Sequence, residues 1–73
     1  MMKKLSISLS GHQTSITLEP EFFTALTTLA AQMGKSVAGI INEIDATRTG
    51  NMNLSSAVRV WILNQMTFRE IKQ

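Results

Sequence analysis

The hydrophobic period of this chain changes once, at its single proline. Before Pro20, Leu5, Ile7 and Leu9 alternate with Lys4, Ser6 and Ser8, and Thr14, Ile16 and Leu18 alternate with Ser15 and Thr17. Period two with β-branched residues marks half-buried strands. After Pro20 the apolar residues recur every three or four positions, which marks amphipathic helix. Sheet is therefore confined to the first eighteen residues and helix to the rest. The expected fold class is α+β: an N-terminal strand or β-hairpin followed by three helices.

Ser10-Gly11-His12-Gln13 separates the two alternating runs. Gly11 can take positive φ at the first centre of a two-residue II′ turn. That turn pairs Leu9 with Thr14, Ile7 with Ile16 and Leu5 with Leu18 on one face. On the other face it pairs Ser8 with Ser15, Ser6 with Thr17 and Lys4 with Glu19. The competing reading is one strand over residues 13–18, preceded by an arm.

The expected elements of a single domain, 1–73, are a strand or hairpin over 3–18 and helices over 20–33, 36–49 and 54–69. Pro20 suits the first helical position, and Glu21 complements the helix dipole. Phe22, Phe23, Leu26, Leu29, Ala30 and Met33 form the first stripe, and Gly34 stops the helix. Ser36 caps the second helix, whose stripe is Val37, Ile40, Ile41 and Ile44. Asn42, Glu43 and Ala46 are expected to face away, and Asp45 can pair with Arg48 three residues on. Gly39, inside this helix, points to a close backbone approach such as that of a partner helix. Gly50 is expected to end it. Asn53 or Ser55 caps the third helix, with Leu54, Ala57, Val58, Trp61, Ile62 and Met66 on its main stripe. Val60 and Leu63 fall on the other side, an apolar surface too wide for one small neighbour.

Size limits what such a chain achieves alone. Folding 73 residues buries apolar surface worth about 110 kcal/mol. Ordering the chain at roughly 1.5 kcal/mol per residue costs about the same. Small chains escape this balance with disulfides, a metal or oligomerisation. Cysteine is absent and His12 is the one histidine, so the first two routes close and a homodimer is expected. The dimer core is expected to include Phe22, Leu26, Ile40, Ile44, Trp61 and Ile62.

Catalysis has no constellation to carry it. Glu19, Glu21, Glu43, Asp45 and Glu70 are scattered over helix starts and solvated faces, and Ser36 and Ser55 have no base at a useful spacing. No glycine-rich phosphate loop or metal-ligand spacing occurs. No enzyme activity, cofactor or metal site is expected. His12 reads as a solvated turn residue, with a phosphate or DNA contact as its functional alternative. No apolar run approaches a membrane span, and the start, Met1-Met2-Lys3-Lys4-Leu5, has no leader-like apolar stretch. The expected location is the cytoplasm. A net charge of +2 permits a nucleic-acid partner without requiring one.

The order of elements is more informative. Gln13-Thr14-Ser15-Ile16-Thr17-Leu18, Gly34-Lys35-Ser36-Val37 and the helix to Ile44 resemble the ribbon-helix-helix family over residues 13–48. Four separated blocks narrow the likeness. They are Ser10-Gly11-His12 with Thr14-Ser15, Leu18-Glu19-Pro20-Glu21-Phe22, Ile44-Asp45 with Arg48, and Asn53-Leu54-Ser55-Ser56-Ala57 with Arg59. Together they resemble a bacterial subgroup of small ribbon-helix-helix domain proteins that carry a third helix. The resemblance implies an intertwined homodimer in which one strand from each subunit pairs into a ribbon. It also implies a DNA-binding transcriptional regulator, with an antitoxin-like autorepressor as one form. Gln13, Ser15 and Thr17 would then meet base edges of double-stranded DNA in the major groove. Lys35, Ser36 and the backbone at Val37 would hold a phosphate, with Lys3 and Lys4 as auxiliary basic residues.

Two features set this chain apart from the family's DNA binders. Its strand triplet contains no Arg or Lys, so counterion release would be small. A hairpin in each subunit would also make the dimer sheet four strands wide, roughly 15–19 Å against a major groove of about 12 Å. The alternative reading is a non-enzymatic interaction or scaffold homodimer that binds a protein partner and no DNA. Whether residues 3–9 pair with 12–18 in the same chain separates the two.

Overall fold

A computed structural model describes residues 1–9, 11–48 and 52–72, the side chains of 68–72 excepted. Two antiparallel strands, β1 (Lys3–Leu9) and β2 (His12–Leu18), precede three helices, α1 (Pro20–Met33), α2 (Val37–Thr47) and α3 (Leu54–Lys72). The hairpin forms within one chain, so the reading of residues before the strand as an arm falls.

Its register differs from the expected one by two residues. Leu9 lies opposite His12, Ile7 opposite Thr14, Leu5 opposite Ile16 and Lys3 opposite Leu18. The cause is the turn. Gly11 adopts φ +84° as the residue immediately before His12, so it closes the turn and His12 already belongs to the ladder. Ser10 itself lies outside the described residues. A two-residue shift preserves strand parity, so every side chain keeps its expected face. The cross-strand partners change, however: Lys4 faces Thr17, not Glu19.

Pro20 opens α1, and Gly34 closes it in the left-handed conformation (φ 68°), donating its N–H toward the carbonyls of Ala30 and Ala31. Ser36 caps α2 by accepting the N–H of Gly39 at 2.9 Å. This explains Gly39 without any partner helix: a Cβ there would stand 3.0 Å from the capping hydroxyl. The helix ends at Thr47, and Arg48 turns extended. The stop expected at Gly50 lies outside the described residues. Of the two candidate caps for α3, the structure uses Asn53, whose Oδ1 accepts the N–H of Ser56 at 2.8 Å.

The core lies between the inner face of the hairpin and the three helices. Ile7, Leu9, Ile16 and Leu18 meet Leu26 and Leu29 of α1, Ile40, Ile41 and Ile44 of α2, and Leu54, Ala57, Val58 and Ile62 of α3. Phe22 and Trp61 are half-buried against this cluster, not enclosed by it. Met66, expected on the main stripe of α3, is exposed with Val60 and Leu63. It borders a groove with Glu21 and Ala25 of α1. Among the described residues, no polar side chain is buried without a partner.

Candidate nucleic-acid interface

Strand parity gathers the polar residues of the hairpin on one side. Lys4 faces Thr17, Ser6 faces Ser15 and Ser8 faces Gln13 across the ladder. All six are exposed. The residues expected to read bases, Gln13, Ser15 and Thr17, thus share a surface with three from β1. The surface carries one amide, four hydroxyls and one ammonium, and no carboxylate. Lys3 falls on the opposite parity and sits 5.6 Å over the ring of Phe23. Only Lys4 of the basic pair addresses the polar face. His12 is exposed opposite Leu9 beside the turn.

The two-residue turn also fixes where the backbone groups point. Leu9 and His12 form the first pair of the ladder, and hydrogen-bonded pairs then alternate with non-bonded ones. Ser8, Gln13, Ser6, Ser15, Lys4 and Thr17 belong to the non-bonded pairs. Their N–H and C=O groups point out of the hairpin edges. Two contacts agree with this parity. The Ser8 carbonyl accepts a hydrogen bond from Asn42 Nδ2 at 3.3 Å, and the Thr17 carbonyl accepts one from the Arg59 guanidinium at 3.2 Å. Asn42 therefore does not face away as expected. It ties the free edge of β1 to α2, and it also donates to the Ala38 carbonyl at 2.8 Å.

Arg59 organises the end of β2. Its Nε donates to Glu19 Oε1 at 2.8 Å, and its guanidinium lies 5.9 Å from the centre of the Phe22 ring. The hydrogen bond from Arg59 holds the Glu19 carboxyl below the usual carboxylate range, with the Glu19 backbone N–H and the Arg59 charge acting in the same sense. Along the outer edge of β2 runs a polar groove lined by Thr14, Ser15, Thr17, Arg48, Ser56 and Arg59. Arg48 is anchored there by Asp45 at 2.7 Å, the pair expected from their spacing, and by the Met52 carbonyl at 2.9 Å.

The second expected cluster lies at the α1–α2 turn. Lys35 Nζ donates to both carboxylate oxygens of Glu43, at 2.9 and 3.0 Å. Ser36 Oγ is engaged by the cap, and Val37 is half-buried beside the core. The residues expected at phosphate thus have internal partners, while among the described residues the strand face is tied to the helices only through its Ser8 and Thr17 carbonyls and not through its side chains. Neither Arg59 nor Asn42 was assigned a role from the sequence. Their partners lie 40 and 34 residues away, beyond the reach of any local pattern.

Among the described residues, no three His, Asp or Glu side chains converge as a metal site. No described helix is long and apolar enough to cross a membrane.

Comparison with protein families matches residues 2–66 to the ribbon-helix-helix domain. The chain belongs to the ribbon-helix-helix family. Domains of this family are typically non-enzymatic regulators, and they typically form dimers that bind DNA. No curated protein and no solved structure matches the chain. The match takes in both strands of the hairpin, the helix pair and the third helix as far as residue 66.

Proposed function

We propose that this ribbon-helix-helix protein is a homodimeric, DNA-binding transcriptional regulator. The observation that supports the reading is the exposed, carboxylate-free face made by Lys4, Ser6, Ser8, Gln13, Ser15 and Thr17. In the dimer the β2 strands of two copies pair along their outer edges, where Arg59 reaches the Thr17 carbonyl. Gln13, Ser15 and Thr17 then lie at the centre of a four-stranded sheet. Gln suits adenine and Ser or Thr suits either base role. Lys35, Ser36 and the amide of Val37 approach phosphate at the α2 N-terminus, Lys35 exchanging Glu43 for DNA. In its most specific form the regulation is autorepression, so the duplex to titrate first is the one upstream of the coding sequence. Gln13→Ala should relax preference at one base pair by about 1–3 kcal/mol, while Lys35→Ala should weaken all sequences alike. If the wild type fails to bind any genomic fragment at about 50 mM salt, where backbone contacts are strongest, the reading is wrong.

A second reading rests on the hairpin itself. Four strands span more than the width of the major groove, and Val60, Leu63 and Met66 are exposed on α3. Both features suit a dimer that docks on another protein and binds no DNA. Capture of a defined protein partner that is lost on Leu63→Glu, with no duplex bound, would favour it.

A further inference from the structure

Resting on the DNA-binding reading, we propose that β1 is a phosphate-gripping strand: Lys4, Ser6 and Ser8 contact the two DNA backbones that flank the groove faced by the paired β2 strands. The hairpin then widens the interface instead of obstructing it.

The spacing supports this. Neighbouring strands lie about 4.8 Å apart. In a sheet ordered β1-β2-β2-β1 about a dyad, the β2 axes run about 2.4 Å from the centre and the β1 axes about 7 Å. The lips of a major groove about 12 Å wide lie about 6 Å from its midline. The β2 pair therefore faces the groove, and the β1 strands lie over its lips.

The residue types follow the same division. β2 presents Gln13, Ser15 and Thr17, which suit base edges. β1 presents Lys4, Ser6 and Ser8, one cation and two hydroxyls, the groups that bond phosphate. The register sets the span. Ser15 is the middle residue of β2 (His12–Leu18), and Lys4 lies opposite Thr17, two residues further along. With the dyad at Ser15, the two Lys4 Cα atoms stand diagonally about 20 Å apart, from strand rise and spacing. Each ammonium thus reaches a different backbone.

Two contacts leave Lys4 available for this. The observed register takes it away from Glu19, and Arg59 holds Glu19 instead at 2.8 Å. Lys3, by contrast, is turned to Phe23 and takes no part.

The test is a salt series on a labelled duplex with full-length protein. Wild type, Lys4→Gln, Lys4→Arg and Lys3→Gln are compared by fluorescence anisotropy, with circular dichroism checking each fold. Losing one phosphate contact per subunit should lower the slope of log K against log salt by about two per dimer. At about 100 mM salt the affinity of Lys4→Gln should fall roughly tenfold or more with unchanged base preference. Lys4→Arg should retain the wild-type slope, and so should Lys3→Gln. A folded Lys4→Gln dimer that binds with the wild-type slope overturns the gripping strand while leaving DNA binding intact. A wild type that binds no duplex overturns both.

Discussion

Arg59 and Glu19 stand forty residues apart in the chain and 2.8 Å apart in space. The same guanidinium reaches the Thr17 carbonyl, so one side chain from α3 fixes both the end of β2 and the entry to α1. The junction between sheet and helices is thus held by a partner from the third helix.

This pair gives the protein a defined response to acid. The folded-state pKa of Glu19 is lowered, mainly by the Arg59 hydrogen bond. A lowered carboxylate contributes stability above its unfolded pKa and loses it as pH falls through the folded value. Wild type should therefore lose melting temperature between about pH 5 and pH 3, the window of carboxylate protonation. Arg59→Gln should be less stable at neutral pH and show a shallower acid limb. Parallel melting curves for the two proteins across that range would show that the pair carries no linkage.

Burial separates two neighbours on α3. Ile62 is 1% exposed, whereas Trp61 is half-buried at the core margin. Ile62→Ala should cost about 2–5 kcal/mol, the range for large-to-small changes in packed cores. Trp61→Ala should cost less than the roughly 3–5 kcal/mol of a fully enclosed aromatic, about 2 kcal/mol. Urea melts check the order. A larger loss for Trp61→Ala, growing as protein is diluted, would place the indole in an intermolecular contact instead.

Much of this architecture is legible in one sequence because its signals are local. Alternation from Leu5 to Leu18, Pro20 at a helix start, Gly34 at a helix end and Ser36 as a cap each act within a few residues. The register was not legible. Gly11 fits either centre of a tight turn, and moving it one place shifts every pair by two while leaving the faces unchanged. The shared face of Gln13, Ser15 and Thr17, the residues proposed to read bases, follows from parity alone, so their exposure was accessible. The contacts that hold Glu19 on Arg59 and tether the strand edges were not. Glu19 and Asn42 find their partners across the fold, and nothing near them in the chain signals it.

Gly39 and Ser36 should be strongly coupled. Alanine at position 39 gains about 1 kcal/mol of helix propensity. Its Cβ, however, meets Ser36 Oγ at 3.0 Å, and loss of a serine cap costs about 1 kcal/mol. Gly39→Ala should be near neutral in the wild type and stabilising in a Ser36→Ala background. The double-mutant cycle should return a coupling of about 0.5–1 kcal/mol. Additive effects would mean that the cap moves aside freely.

The outer edge of β2 makes dimerisation testable at one backbone atom. The N–H of Ser15 points away from the hairpin, so proline there removes no bond of the β1–β2 ladder. Proline is tolerated at a strand edge and excluded from a central strand, and Thr14 before it is already extended. Ser15→Pro should therefore keep the hairpin and helices but prevent β2–β2 pairing. Ser6→Pro, with the same parity on the outer edge of β1, is the control and should leave the dimer intact. Sedimentation at low micromolar concentration should give twice the 8.1 kDa chain mass for wild type and Ser6→Pro. Ser15→Pro should sediment as a folded monomer or lose its helical signal through loss of the dimer. A Ser15→Pro protein that still sediments as a dimer would move the contact from the sheet to the exposed face of Val60, Leu63 and Met66.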